Sequence, residues 1–207
     1  MNYTIGQIIP SHFYEREDVV QISKDLLGKK LVTQIDGIRT SGIIVETEAY
    51  RGADDKACHA YPNKLTKRTQ PMFLAGGHCY VYLIYGIHHL FNIVTGPEGM
   101  ANAVLIRAIA PEEGLDMMLK RRNMSKLEPR LTAGPGVAAA ALGITTQYTG
   151  LRIVDSNNLI WVEASGNKVT ESQMVASPRV GVGYAEECAL WNWRFRIKGS
   201  KWTSKAK

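Results

Sequence analysis

The spacing of apolar residues near the N-terminus predicts one amphipathic helix. Val19, Ile22 and Leu26 recur at intervals that place them on a single helical face. Asp18 directly precedes this run and can accept a hydrogen bond from a backbone amide as an N-cap, and Gly28 suits a C-terminal stop. We therefore expect a helix between Asp18 and Gly28.

Strand-like patterns dominate the rest of the chain, either as alternation of apolar and polar residues or as short continuous apolar runs. The predicted strands are KLVTQI (30–35), SGIIVETEAY (41–50), HCYVYLIYG (78–86), LFNIVTG (90–96), NAVLIRAIA (102–110), LRIVD (151–155), LIWVEA (159–164) and WNWRFRI (191–197).

Two more helices are predicted between these strands. Pro111, Glu112 and Glu113 are expected to open a helix that runs into the basic segment 120–130, because an acidic first turn and a basic last turn both suit the helix dipole. The second helix, GVAAAAL, is expected to end at Gly143.

The chain has no internal repeat and no change in composition that would mark a boundary, so residues 1–207 are interpreted as one domain with a basic C-terminal strand and tail at 191–207. Hairpin-length links between strands favour an α+β fold. We expect a mixed, mostly antiparallel sheet with flanking helices and a protruding β-hairpin.

Composition narrows the class of protein further. Apolar residues make up 45% and charged residues 21%, which is typical of a folded soluble protein. The three cysteines form no disulfide or metal-binding pattern, so neither a metal nor another cofactor is expected. No signal peptide and no run long enough to cross a bilayer are present, which favours a cytoplasmic location without membrane contact.

Positive charge raises the odds of a polyanionic partner, since 25 Lys and Arg against 19 Asp and Glu give a net charge of +6. In WNWRFRIK, strict alternation separates Trp191, Trp193, Phe195 and Ile197 from the basic face of Arg194, Arg196 and Lys198. That face fits a phosphate contact about as well as a charged edge strand that resists aggregation.

Candidate chemistry lies between residues 46 and 107. Alternation in IIVETEAY puts Glu46, Glu48 and Tyr50 on one strand face, opposite Ile43, Val45, Thr47 and Ala49. Arg107 interrupts an otherwise apolar strand, and such a charge needs a partner, for which Glu48 is the natural choice. The pair is either a structural ion pair or a carboxylate and guanidinium that together hold a water molecule.

Tyrosines concentrate in the same part of the sequence. Tyr80 and Tyr82 point the same way along one strand, and Tyr85 falls at the expected hairpin turn. Buried tyrosines usually fill space, but a tyrosine at a hairpin tip has no core to fill. An exposed wedge of this kind can enter a base stack and occupy the space left by an extruded nucleotide.

Several spaced blocks together resemble the alkyladenine DNA glycosylases, also called 3-methyladenine or methylpurine DNA glycosylases. The blocks are VETEAYRGADDKACH, TKRTQPMF, GHCYVYLIYGIHHLFNIVTG, AVLIRAIAPEEG, LTAGPG, SPRVGVG and RFRIKGS. They occur in one order over nearly the whole chain, which is far more specific than a lone short motif. The short chain resembles bacterial members of the family, which would act in the cytoplasm at the nucleoid.

The resemblance implies a role for each matching position. Glu48 would be the general base that activates water, with Arg107 helping to hold that water. Tyr50 would stack on one face of a flipped base and His59 and Tyr82 on the other. In addition, Tyr80 would build the pocket with its hydroxyl, Asn92 would reject the amino group of normal guanine, and Tyr85 would intercalate.

This resemblance implies a monofunctional glycosylase that removes alkylated, and in some cases deaminated, purines from double-stranded DNA and leaves an abasic site. The alternative is a non-catalytic DNA-binding protein that recognises lesions. In either case we expect a monomer without a cofactor. The residues expected to contact the DNA backbone are Arg68, Arg179, Arg194, Arg196 and Lys198.

Overall fold

The computed structural model describes residues 3–154 and 159–205, in which all eight strands belong to one sheet. The strands are β1 Lys30–Ile35, β2 Ile38–Arg51, β3 Cys79–Ile84, β4 His88–Thr95, β5 Asn102–Glu113, β6 Ile160–Glu163, β7 Met174–Ser177 and β8 Arg194–Ile197. The α-helices are α1 Ser11–Tyr14, α2 Val19–Leu26, α3 Leu115–Arg121 and α4 Pro135–Leu142. Short 3-10 helices occur at Gln70–Phe73, Pro129–Leu131, Thr146–Tyr148, Glu171–Gln173 and Gly183–Leu190.

The order of the main sheet is β3-β4-β5-β2-β1-β6, and β8 pairs with β2 and with β7. Every pairing between these strands is antiparallel, which confirms the predicted α+β fold with a mostly antiparallel sheet. The 14-residue strand β2 pairs with β1, β5 and β8. Its central place brings the carboxylates of β2 next to the arginine of β5.

Helix α2, which the hydrophobic pattern predicted, covers one face of β2. The side chain of Asp18 accepts a hydrogen bond of 2.9 Å from the backbone N–H of Gln21, so it caps the helix. At the contact with the sheet, the Thr47 hydroxyl donates to the backbone carbonyl of Ser23 at 2.9 Å. Val19, Ile22 and Leu26 are also buried there, and they belong to the main hydrophobic core, which extends to buried residues of α3 and α4. No helix in the described parts of the chain is long and apolar enough to cross a membrane.

An irregularity in β2 changes the predicted alternation. Ile44 and Ala49 belong to the main core, whereas Val45 packs in a separate small cluster. The pairing of β2 with β5 shifts register on both sides of Glu46, and such a bulge turns neighbouring side chains to new faces. The prediction that Val45 and Ala49 share a face is therefore wrong, while Glu46 and Glu48 both contact the same guanidinium.

The helix predicted from Pro111 is also wrong at its start. Residues 111–113 continue β5, and Glu113 pairs with Ser41 of β2 in the sheet. The acidic residues form ion pairs with Lys30 and Arg39 of the neighbouring strands instead of meeting a helix dipole. The helix begins only after Gly114, whose φ of +71° is readily adopted by glycine.

Four further segments differ from the sequence prediction. Within LRIVD, Arg152 forms only an isolated bridge with His78, and Asp155 lies outside the described residues. Strand β8 begins at Arg194 because residues 191–193 form a turn in which Trp193 N–H donates to the carbonyl of Trp191. The four-residue elements α1 and β7 were missed, since such short segments carry too few positions for a periodic pattern.

Replacing Asp18 with alanine should lower the free energy of unfolding by about 1 kcal/mol, because the N–H of Gln21 loses its acceptor. Urea denaturation would measure the loss. Glu17→Ala removes the same charge one residue earlier without touching the cap, and it should change stability by less than about 0.5 kcal/mol. Equal losses in the two variants would attribute the effect to charge rather than to capping.

Candidate active site

A cavity of about 420 Å³ opens beside the β3–β4 hairpin. Strands β2 to β5 supply much of its wall, and loops within residues 57–72 and 180–184 supply the rest. The cavity brings together all eight residues predicted for catalysis, base binding and intercalation, along with Arg68. The residues predicted from the sequence to form the site therefore line a single cavity.

Glu48 is buried in the cavity wall and is held through both of its carboxylate oxygens. Oε2 accepts hydrogen bonds from the Tyr50 hydroxyl at 2.8 Å and from Nη1 of Arg107 at 3.3 Å. Oε1 accepts one from the backbone N–H of Val180 at 2.8 Å. The predicted pairing of Glu48 with Arg107 is confirmed, and three donors fix the orientation of a carboxylate that borders an open space.

Glu46 lies next to this pair and forms a shorter hydrogen bond with Arg107 than Glu48 does. Its Oε1 accepts from Nε of Arg107 and from Nε of Arg194, each at 2.8 Å. Burial alone would raise the pKa of Glu46, but the charge of Arg107 and a hydrogen bond from the backbone N–H of Ser204 lower it overall. Glu46 is therefore a buried carboxylate that stays ionised.

Aromatic rings form one side of the cavity. The centroids of the Tyr80 and Tyr82 rings are 5.6 Å apart, and His59 meets Tyr82 edge-on at 4.6 Å. Nδ1 of His59 lies 2.9 Å from the Tyr80 hydroxyl. Burial raises the pKa of Tyr50 and Tyr82, so both remain neutral phenols with electron-rich faces.

His59 also remains uncharged near neutral pH. Burial, followed by the nearby charge of Arg68, lowers the pKa of His59 to about 4. Nη2 of Arg68 lies 3.3 Å from Nε2 of the ring, which an uncharged imidazole can offer as an acceptor. The pocket side of His59 thus presents no positive charge to a bound base.

Asn92 stands on β4 with its amide fixed. Nδ2 donates to the backbone carbonyl of Tyr80 at 3.0 Å and to that of Leu90 at 3.3 Å. The side chain is buried and lines the cavity. Because both contacts are to backbone, its position follows directly from the pairing of β3 with β4.

The sequence pattern that defines the methylpurine-DNA glycosylase (MPG) family matches residues 12–201, which include the whole cavity. The chain belongs to the methylpurine-DNA glycosylase family. It is accordingly a DNA glycosylase, an enzyme that hydrolyses N-glycosidic bonds, and its substrate is DNA.

Curated relatives agree with this assignment over almost their full lengths. A protein of Chlamydia felis (strain Fe/C-56) is 46% identical over 197 residues, which are 94% of this chain and 99% of the relative. A protein of Bacillus cereus (strain G9842) is 45% identical over 202 residues, which are 95% and 98% of the two chains. The names of both relatives contain the words 3-methyladenine DNA glycosylase.

The hairpin tip of this methylpurine-DNA glycosylase projects into solvent. Tyr85 is 86% exposed, and it occupies a left-handed backbone conformation with φ of +54°. Gly86 follows with φ of +73°, and Ile87 beside it is also exposed. The predicted protruding hairpin with an aromatic residue at its tip is confirmed.

Two arginines predicted to contact the DNA backbone are instead interior residues. Arg179 is 5% exposed; its Nη2 donates to Asp55 at 2.7 Å, and its Nη1 donates to the carbonyl of Ala49 at 2.8 Å. Arg194 is 3% exposed and bonded to Glu46. A guanidinium that is enclosed and ion-paired is not available to a phosphate, so the prediction is wrong for these two residues.

The other three predicted backbone contacts remain accessible to different degrees. Arg68 and Lys198 are exposed, and Arg196 is half-buried with its Nη2 3.4 Å from the Ser177 hydroxyl. The predicted basic strip on β8 is thus interrupted, because the side chain of Arg194 is buried in contact with Glu46 and Ser204.

Sequence reasoning missed three contributions to the site. The backbone N–H of Val180 carries no side-chain signal, so its hydrogen bond to Glu48 could not be read from residue type. Tyr184 lines the cavity and its hydroxyl donates to the carbonyl of Ala57 at 3.3 Å, but a single tyrosine without a surrounding pattern is not distinctive in sequence. Alternation placed Glu46 on the same strand face as Glu48, but no role was predicted for it. Among the described residues, no group of three or more His, Cys, Asp or Glu side chains could hold a metal ion.

Arg179→Met should lower the free energy of unfolding by about 3–5 kcal/mol, because it leaves the buried Asp55 carboxylate without its partner. The matched control is Lys198→Met, which removes an exposed charge predicted for the same DNA contact and should cost less than about 0.5 kcal/mol. Urea denaturation of both variants would measure the difference. If both variants lost similarly small amounts of unfolding free energy, Arg179 would not form a stabilising buried ion pair with Asp55.

The lowered pKa of His59 predicts a specific pH dependence of stability. An unfolded histidine titrates near pH 6.5, whereas folded His59 titrates at about 4. The stabilising contribution is therefore complete above pH 6.5 and declines as the pH falls toward 4. Compared with His59→Gln, the wild type should lose stability more steeply between pH 6.5 and 4.5. NMR titration of the His59 ring, assigned by its absence in His59→Gln, would refute this if its midpoint were 6 or higher.

Proposed function

We propose that this enzyme removes alkylated purines such as 3-methyladenine and 7-methylguanine from double-stranded DNA, using water activated by Glu48. The observation that carries the proposal is the buried Glu48 carboxylate, fixed by three donors at the wall of an aromatic cavity. The names of the relatives point to the same substrate.

In the proposed reaction, the oxygen of a water molecule bonds to C1′ of the sugar while the bond from C1′ to the base nitrogen breaks. The electron pair of that bond leaves with the base, and Glu48 takes the proton from the water. Arg107 would help to hold the water beside the carboxylate. An alkylated purine is cationic and leaves as a neutral molecule, so one carboxylate suffices.

The chemistry of the pocket favours a cationic base. Neutral tyrosine faces attract a desolvated cation by about 1–2 kcal/mol each, and the rings of Tyr50 and Tyr82 line the cavity. We propose that these rings and His59 stack on the flipped base. Asn92, held rigidly on β4, would exclude the amino group of normal guanine.

Deaminated purines such as hypoxanthine make a different demand, because a neutral base needs a proton before it leaves. With a pKa of about 4, His59 is unprotonated at neutral pH and cannot readily supply one. We therefore propose that alkylated purines react faster than hypoxanthine at this site.

Extrusion of the base would be assisted by the hairpin tip. The exposed Tyr85 fits the role of a wedge that enters the base stack when the damaged nucleotide turns out. Arg68, Arg196 and Lys198 would contact the phosphates around it, which makes binding depend on salt and little on sequence. All the residues in this scheme belong to one chain, so we propose that a monomer acts.

We further propose a monofunctional reaction that leaves an intact abasic site. Strand cleavage by a glycosylase requires an amine that forms a Schiff base with the sugar. Among the described residues that line the cavity there is no lysine.

Glu48→Gln should slow the release of methylated purine from methylated duplex DNA by about 100-fold or more, because glutamine cannot accept a proton from water. Chromatography of the released bases would measure the rate, and binding of lesion-containing duplex should persist. Glu128→Gln is the matched control, since the Glu128 side chain is 41% exposed and pairs with Arg130 at the surface.

The control variant should release methylated purine at the wild-type rate. If the wild type releases no methylated purine, or if Glu48→Gln is as fast as the wild type, the proposed function is wrong.

A further inference from the structure

Behind the catalytic pair lies a closed ionic cluster whose centre is Glu46. Besides its bonds to Arg107 and Arg194, Glu46 accepts a hydrogen bond from Ser204 Oγ at 2.9 Å and from Ser204 N–H, through Oε2, at 2.6 Å. All four residues are buried. The cluster thus joins β2, β5, β8 and the C-terminal segment at one carboxylate.

Arg107 is shared unequally between two carboxylates in this cluster. Its Nε donates to Glu46 at 2.8 Å, whereas its Nη1 reaches Glu48 at the longer distance of 3.3 Å. A guanidinium usually prefers two parallel bonds to one carboxylate. The contact with Glu46 therefore holds Arg107 in a pose from which only one nitrogen touches Glu48.

The C-terminal segment is built to keep Ser204 in place. Trp202 packs against the small apolar cluster of Ile43, Val45 and Ala108. The Thr203 hydroxyl donates to the carbonyl of Ser200 at 3.1 Å, which closes the turn before Ser204. Residues 202–204, which we call the clamp, follow residue 201, where the match to the family ends.

We propose that Glu46 is a positioning residue for the glycosylase reaction, and that Ser204 fixes it so that Arg107 steadies Glu48 without pairing fully with it. This inference rests on the proposed role of Glu48 as the base. A partly engaged carboxylate keeps an oxygen lone pair for the attacking water. A fully paired one would be a weaker proton acceptor and would exclude water from that edge.

Removal of the Glu46 charge should change both rate and pH dependence. In Glu46→Gln, Arg107 and Arg194 would face Glu48 alone, which favours its ionised form and a bidentate contact with Arg107. The other charged or titratable groups near Glu48 are Tyr50, Tyr82 and the Arg179–Asp55 pair. These groups are unchanged in the variant, so a shift would be due to the cluster.

The test is single-turnover release of methylated purine from methylated duplex DNA with enzyme in excess. Its plateau rate reports the reaction after binding, and the enzyme concentration at half-maximum reports binding. In Glu46→Gln the plateau rate should fall on the order of 100-fold, as for a misplaced catalytic group. The acid limb of the pH–rate profile should move to lower pH, while the half-maximal concentration stays within about threefold of the wild type.

Ser204→Ala provides a second variant in case Glu46→Gln does not fold, since a buried charge left unbalanced is strongly destabilising. It keeps every charge and the backbone N–H bond and removes only the hydroxyl. The hydroxyl donates to Glu46 and also accepts from Nη2 of Arg107 at 3.3 Å and of Arg194 at 3.2 Å. Because these bonds to charged groups are lost together, the plateau rate should fall on the order of tenfold or more, and the pH profile should stay in place. Lys205→Ala alters the neighbouring exposed residue and should match the wild type.

The outcomes separate this inference from the proposed function. If the wild type releases methylated purine, Glu48→Gln does not, and the folded Glu46 and Ser204 variants keep the wild-type plateau rate and pH profile, then Glu46 is only structural. The inference then fails while the proposed function stands. If the wild type releases no methylated purine, both fail.

Discussion

The burial of Arg107 in the middle of the sheet is the constraint on which the rest of the site depends. A guanidinium removed from water costs several kcal/mol unless charged partners and hydrogen bonds replace the solvent. Here the partners are two carboxylates from the adjacent strand, and the second arginine that balances them comes from β8. The cluster around the Arg107 guanidinium therefore depends on strand pairing, on the bulge in β2 and on the return of the C-terminal segment.

Buried charges leave the electrostatics of the surface intact. Arg107, Arg179 and Arg194 are balanced by Glu46, Glu48 and Asp55, so the interior clusters are neutral as a set. The formal surplus of +6 therefore still belongs to the rest of the molecule. Two of the arginines that sequence patterning assigned to DNA stabilise the protein, yet the long-range attraction to a polyanion is undiminished.

Local patterns predicted what depends on neighbouring residues and failed where distant pairing decides. The cap at Asp18, the α2 face and the exposed tip at Tyr85 follow from short stretches of sequence, and all were confirmed. Alternation alone put Arg194 on a solvent face, because nothing in WNWRFRI indicates that Glu46 and the C-terminal residue Ser204 will enclose it. Likewise the bulge at Glu46 arises from the match between β2 and β5. In the site, side-chain motifs identified the cavity residues, but the donor from Val180 and the clamp at Ser204 depend on backbone geometry.

The left-handed conformation at Tyr85 lowers the stability of the fold at the residue proposed to enter the base stack. A bulky residue at positive φ carries strain of about 1 kcal/mol or more, and glycine or asparagine would relieve it. Selection of variants for thermal stability alone would therefore favour replacement of Tyr85, the side chain that the hairpin exposes. The tip therefore combines a strained backbone with a large side chain that does not pack in the core.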